Sequence, residues 1–273
     1  TRWRQLRAML NAFRQWGKGV RPVIAIVDWE GLPTAPEFEM FKDFFEAHGT
    51  KTVICDPRSL ELRRGRLYAN GSAVNLVYRR VLTSELLARG DDTRVLRDAY
   101  VAGKICVVNS FRAKLLHKKM SLALLSDPRY ARLYTSAQRT AIRRHVPWTR
   151  RVRAELAEDI ARRREKLVLK PNDEYGGKGV VLGWTVAQQD WEAAIATALS
   201  QSYVVQEAVD VPRVPFPIAL DGLQYIDLAV DLDPYLFDGR AGGFMTRVSA
   251  AALLNVTAGA GSVVPTFVVE GPA

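Results

Sequence analysis

Cysteine and histidine are scarce here: two and three residues in a chain of 273. Cys55 and Cys106 sit inside apolar runs, KTVICDP and GKICVVN, where a thiol packs as a small hydrophobe. That usage excludes a disulfide framework and fits a reducing compartment. No paired Cys/His spacing occurs, which argues against zinc. No apolar run reaches the roughly 18 residues a membrane-spanning helix needs, and no secretory leader pattern is present. The expectation is a cytoplasmic protein that stays off the membrane. Internal repeats and low-complexity linkers are missing too. The sequence opens at Thr1 without a methionine and runs straight into a helix-like stretch, so it reads as part of something longer.

What is present is ordinary globular material with a basic bias. Hydrophobic residues make up 48%, charged residues 25% and aromatics 9%, enough for a large core in one or two domains. The net charge is +10 and the isoelectric point about 9.8, which favours anionic partners. Much of the excess lies between Thr140 and Lys166, in TAIRRHVPWTRRVRAELAEDIARRREK, which reads as Arg-rich helices. Glu155, Glu158 and Asp159 interleave with the arginines, so a solvated helical face accounts for the run. Binding to an anionic surface or a nucleic acid is the sharper alternative. No nucleic-acid-binding motif accompanies the charge, and nucleic acid is not an expected partner.

Periodicity organises the chain. TRWRQLRAMLNAFRQWG has helical spacing that lets Trp3, Leu6, Leu10, Phe13 and Trp16 share a face, with Gly17 as the stop. RPVIAIVDWEG then reads as a buried strand, PEFEMFKDFFEAHG as an amphipathic helix ended by Gly49, and KTVICDP as a second buried strand. This β-α-β unit predicts a parallel sheet. GRLYANGSAVNLVYRRV is a hairpin candidate around Asn70-Gly71. From Leu86 to about Lys166 the pattern is mostly helical, interrupted by the strand KICVV. Strands return with EKLVLKP, GVVLGW, SYVVQEAV, LQYIDLAVDLDPYLFDG and VVPTFVVE, with VAQQDWEAAIATALS the one helix among them.

The stretch LVLKPNDEYGGKGV, Leu167 to Val180, asks for an explanation. A strand lysine, Lys170, is followed by Asn172, Asp173 and then Gly176, Gly177, Lys178 and Gly179. Glycines let backbone N–H groups turn toward an anion, and lysine supplies a point charge for phosphate. The spacing is neither that of a Walker A loop nor of a Rossmann fingerprint. By itself the stretch suits a solvated hairpin turn as well as a phosphate cradle. Two other segments bear on it. SYVVQEAVDVP places Gln206, Glu207 and Val209 at a strand end, where backbone groups and a carboxylate can meet an adenine edge. NSFRAKLLHKKMSLALLSD puts Lys118 and Lys119 at the start of an apolar helix.

In that order, Lys119, Lys170, the GGKGV loop and the VVQE.V strand resemble the nucleotide half of the ATP-grasp superfamily, over roughly Asn109 to Val209. The upstream segments resemble that superfamily's Rossmann-like preceding domain. The pairing of VNLVYRRV with NSFRAKLLHKKMSLALL is most similar to circularly permuted ATP-grasp proteins, relatives of glutathionylspermidine synthase. So is the C-terminal run from Asp231 to Val269, with its GG-x-x-x-R strand and Gly-rich Asn/Ser/Thr turn.

The resemblance implies an α/β (α+β) fold: an N-terminal helix over 1–20, a Rossmann-like pre-ATP-grasp domain over 21–108, and an ATP-grasp region over 109–273. The last would comprise a helical segment (109–166), a lid (167–210) and a C-terminal sheet (211–273), with two sheets enclosing a nucleotide cleft. It also implies a ligase joining a carboxylate to an amine through an acyl phosphate, using ATP and Mg²⁺. Lys119 and Lys170 would neutralise α- and β-phosphate charge, and the lid glycines would close over the γ-phosphate. Gln206, Glu207 and Val209 would meet the adenine, and Arg247 would steady the transferring phosphoryl group or the substrate carboxylate. Asp231, Asp233 and Asn255 are the metal candidates. The family's Glu-x-Asn pair is missing, because Leu253 stands two residues before Asn255. In permuted relatives that pair lies before the Rossmann-like domain, so the expectation is weak nucleotide binding and no turnover by this chain alone. The alternative is a non-catalytic protein on the same fold that binds an anionic partner through its basic surface.

Overall fold

A computed structural model of the chain describes residues 1–17, 21–219, 221–251 and 261–270. They gather into two compact units, Thr1–Lys114 with Tyr235–Gly243, and Leu115–Pro234 with Phe244–Ala273.

In the first unit, helix α1 (Arg2–Trp16) buries Leu6, Met9 and Phe13 and stops at Gly17, whose φ of 73° is a left-handed cap. Strand β1 (Ile24–Val27) leads through α2 (Ala35–Ala47) to β2 (Thr52–Cys55), the expected β-α-β unit, with β1 and β2 parallel. Then come β3 (Glu61–Arg63), β4 (Arg66–Ala69), β5 (Ser72–Val74), β6 (Leu76–Arg79), α3 (Thr83–Ala88), α4 (Arg94–Val101) and β7 (Cys106–Val108). The main sheet is parallel, in the order β2-β1-β6-β7. Its strands are covered on both sides. Ala25 and Val27 of β1 face one cluster with Leu96 and Ala99 of α4, while Ile24 and Ile26 face another with Phe38, Phe41 and Phe45 of α2. Two buried faces explain why β1 reads as an unbroken apolar run.

Asn70 (φ 47°) and Gly71 (φ 75°) turn β4 into β5, both in the left-handed region that a two-residue hairpin of this hand demands. The hairpin run did not continue as expected. Its second half, LVYR, forms β6 in the parallel sheet instead. Asn75 makes the change of direction: its Oδ1 accepts from Val23 N at 2.8 Å and its Nδ2 donates to Arg21 O at 2.9 Å, tying β6 beside β1.

The second unit begins within α5 (Lys114–His117). It contains α6 (Met120–Ser126), α7 (Ser136–His145), β8 (Thr149–Arg151), α8 (Ala157–Arg162), β9 (Leu167–Pro171), β10 (Val181–Leu182), α9 (Gln188–Ser200) and β11 (Tyr203–Glu207). These strands make an antiparallel sheet in the order β10-β9-β11-β8. The Arg-rich run expected to be helical is interrupted, because Pro147 cannot donate a helical hydrogen bond and disfavours helix at Val146. Thr149–Arg151 pairs with β11 instead. One face of this sheet packs on α8 and α9: Leu167, Leu169 and Val205 surround Trp191, which is fully buried and donates Nε1–H to Ile160 O at 3.0 Å.

The last sheet has the order β12-β13-β14-β15, with β12 at Arg213–Ala219, β13 at Leu223–Phe237, β14 at Arg240–Ser249 and β15 at Gly261–Val264. Pro215 and Pro217 hide β12 from a sequence reading, and an edge strand is where prolines are tolerated. The expected strand VVPTFVVE ends at Val264; Pro265–Glu270 has no regular structure. No helix among the described residues is long and apolar enough to cross a membrane.

Candidate functional site

Strand β9 alternates. Leu167 and Leu169 enter the helix-backed core, so Lys170 emerges on the opposite face of the sheet. Its Nζ donates to Gln206 Oε1 at 2.6 Å. Gln206 is buried, and its Nε2 donates to Thr149 Oγ1 at 2.9 Å, while the Thr149 hydroxyl donates to Pro147 O at 2.9 Å. This chain of donors fixes the glutamine with its oxygen toward the lysine. Lys170 has no carboxylate partner among the described residues. Burial pulls its pKa below the ordinary lysine value, and the positive charge of Lys119 pulls it further. Two ammonium groups from different elements thus act on each other electrostatically.

Lys119 caps α6 from the other side. Its backbone N donates to Asn172 O at 3.1 Å, and Met120 N donates to Asn172 Oδ1 at 2.9 Å. Asn172 N in turn donates to Ser202 O at 2.8 Å. The Lys119 ammonium donates to Glu174 O at 2.6 Å, so it grips the near end of the glycine loop. Gly176, Gly177 and Gly179 all have positive φ, 64°, 75° and 69°. Gly179 is required twice over, because a Cβ there would lie 2.7 Å from Pro171 Cγ and 3.1 Å from Tyr203 Oη. Lys178 is largely exposed and pairs with Glu174 at 3.6 Å. Asp173 lies 3.6 Å from Lys118 Nζ and 3.5 Å from His117 Nδ1.

At the end of β11 the backbone is partly spent. Glu207 N donates to Trp148 O and Ala208 N to Lys166 O, each at 2.9 Å. The Glu207 carboxylate is exposed, 3.8 Å from Arg163 Nη2, and Val209 is exposed. The sequence had offered Gln206, Glu207 and Val209 as one group; the fold turns Gln206 inward to Lys170 and leaves the other two outside.

Asp231 and Asp233 on β13 meet Arg247 on β14. Arg247 Nε donates to Asp231 Oδ1 at 2.9 Å and lies 3.0 Å from Asp233 Oδ2, and its Nη2 donates to Asp231 Oδ2. The hydrogen bond from Arg247 to Asp231 leads the causes that raise the arginine's pKa, whereas burial raises that of Asp233. Asn255 lies outside the described residues. Thr149 escaped the sequence reading, since it lay within a run taken for helix and only its pairing with β11 reveals it.

No protein-family model matches this chain, and no curated protein matches it in sequence. Solved structures do. A glutathione synthetase-like effector from Globodera pallida aligns over 90% of this chain at a TM-score of 0.56 and 12% identity. The D-cycloserine synthetase DcsG aligns over 90% at 0.54 and 14%. Both are ATP-grasp proteins. The fold is an ATP-grasp fold. The chain spans 58% of the effector's length and 75% of that of DcsG, and identities this low speak of fold alone.

ATP-grasp ligases use ATP and Mg²⁺, and the two groups fare differently against the residues of this chain. A half-buried ammonium held by a neutral glutamine, beside a second ammonium and a glycine loop, suits a polyphosphate. The metal candidates do not suit Mg²⁺ as they stand. Asp231 and Asp233 are both engaged by Arg247, and no group of three or more His, Cys, Asp and Glu gathers among the described residues.

Proposed function

We propose that this chain is the ATP-binding portion of an ATP-dependent carboxylate–amine ligase, related to the circularly permuted ATP-grasp proteins and acting in the cytoplasm. The observation that carries the reading is the electrostatic pull of Lys119 on Lys170 in the second unit, where Lys170 is short of solvent and, among the described residues, is answered by the neutral Gln206. Such a lysine costs stability while alone and repays it when an anion arrives, which is the signature of a site made for charge.

ATP bound there would supply a phosphoryl group that converts a carboxylate to an acyl phosphate, open to attack by an amine. The chain's own residues bind and orient. Lys170 and Lys119 offset phosphate charge, the Thr149–Gln206 relay fixes the direction of the Lys170 ammonium, and the loop around Gly176, Gly177, Lys178 and Gly179 folds down as a flap. Glu207 and Val209 border the base. Arg247, freed from its carboxylates, would hold the substrate carboxylate.

The second reading is a non-catalytic ATP-grasp-fold protein that binds an anionic partner through its basic surface. What favours it is the Asp231–Arg247–Asp233 cluster, which occupies the metal candidates with a guanidinium. The test is a thermal-shift titration with Mg-ATP. On the first reading the melting temperature rises with nucleotide by mass action, and Lys170→Ala and Lys119→Ala abolish the rise. A polyanion response that ignores both lysines and fades steeply with salt would favour the second.

A further inference from the structure

A second concavity in the same unit is not used by the nucleotide reading. It encloses about 790 Å³ beside α6 and is lined by Arg129, Arg150, Arg151 and Arg153, against Asp127 and Glu155. Neither Lys170 nor any glycine of the 176–179 loop lines it. Three of the arginines come from four consecutive positions at β8, the edge strand of its sheet.

The charges are unequally spent. Arg129 grips Asp127 at 2.7–3.2 Å, and this hydrogen bonding holds the Asp127 carboxyl at about 2. Arg150 is positioned by neutral acceptors, donating to Ser126 Oγ at 3.1 Å and Thr149 O at 2.7 Å. Arg151 and Arg153 have neither a carboxylate nor a side-chain hydrogen-bond partner among the described residues. Four guanidinium groups against two carboxylates leave two positive charges in excess. On a flat surface water would screen that excess; in a concavity, walls of low dielectric focus it. Guanidinium forks match carboxylate and phosphate oxygens.

We propose that this concavity is a second anion site, which takes a small, multiply charged oxyanion: a phosphomonoester or a polycarboxylate. Asn172 lines it, and the same residue holds the backbone N–H groups of Lys119 and Met120. A ligand here therefore bears on the placement of Lys119, and any coupling to nucleotide binding is reciprocal.

Isothermal titration of the whole chain with inorganic phosphate and with citrate tests the site and separates its two ligand chemistries. One of them should bind, and the double variant Arg151→Glu/Arg153→Glu should weaken that binding about tenfold or more. Lys170→Ala should leave it unchanged, while the charge-reversed variant keeps its thermal response to Mg-ATP. Both arginines are exposed, so the variant should fold; Arg151→Gln/Arg153→Gln serves if it does not. Binding of neither ion, undiminished binding by the arginine variants, or loss of binding in Lys170→Ala would each overturn the proposal. The last result would assign the anion to the nucleotide site, whose own test is the Mg-ATP response.

Discussion

The two main sheets of this protein solve opposite problems. The parallel sheet of the first unit is sealed on both faces, by Ala25 and Val27 on one side and Ile24 and Ile26 on the other. The antiparallel sheet of the second unit divides its faces by chemistry, one wholly apolar and the other partly polar. Its helix-backed side carries Leu167, Leu169 and Val205, and its other side carries Lys170, Gln206 and Thr149. A strand between two cores has no position to spare for a charge. A strand with one face turned from the apolar core alternates, and that face can carry a charged side chain such as Lys170.

Substitutions can break or sharpen that contrast. The largest effect should come from Ala25→Lys, which buries an unpaired ammonium in the parallel sheet. It should cost more than about 4 kcal/mol in a urea melt, enough to unfold the first unit. Mild destabilisation would show that this face is less sealed than the contrast requires. Next is Leu169→Ala, expected to cost about 2–5 kcal/mol by leaving a cavity beside Trp191. Gly179→Ala should cost about 1–2 kcal/mol through its left-handed backbone alone, with more from the contact with Pro171.

Lys170→Met, one residue from Leu169 but on the opposite face, should have the smallest effect on stability. It loses the bond to Gln206 and also removes a charge that burial disfavours. The folded-state pKa of Lys170 lies below the ordinary 10.5. Between the two values the unfolded chain binds the extra proton, so stability rises with pH. The wild type should therefore gain on Lys170→Met as pH climbs through that window, read as the difference between their melting temperatures. A flat difference would mean that Lys170 is well solvated. The cysteines complete the series without any substitution. Burial pushes Cys55 up to about 12 and Cys106 up to about 11. Neither should be alkylated in the folded chain at about pH 8, as mass spectrometry would show.

Much of the first unit was legible because its signals are local. The Asn70-Gly71 turn, the Gly17 cap and the apolar run of β1 each reflect a conformational preference or a burial pattern within a few residues. The same holds for Lys170, conspicuous at the end of LVLKP. Other features gave no local signal. Thr149 sits in an Arg-rich run whose helical appearance Pro147 interrupts, and its value lies in a hydrogen bond to Gln206, a residue distant in sequence. β12 was masked by prolines that only an edge position tolerates. Asp231 and Arg247 were legible as functional residue types, but read as separate candidates, one for metal and one for phosphoryl transfer, rather than as partners.

The sequence by itself determined which residues prefer to be inside, where the backbone must turn left-handed, and that a lysine stands among apolar neighbours on a strand. These follow from side-chain hydrophobicity and backbone sterics, which act at short range. Only the tertiary structure decided that Lys119 approaches Lys170, that Gln206 turns inward to hold it, and that Arg247 occupies two carboxylates. Those outcomes depend on strand register and helix placement, set by packing between segments far apart in the chain.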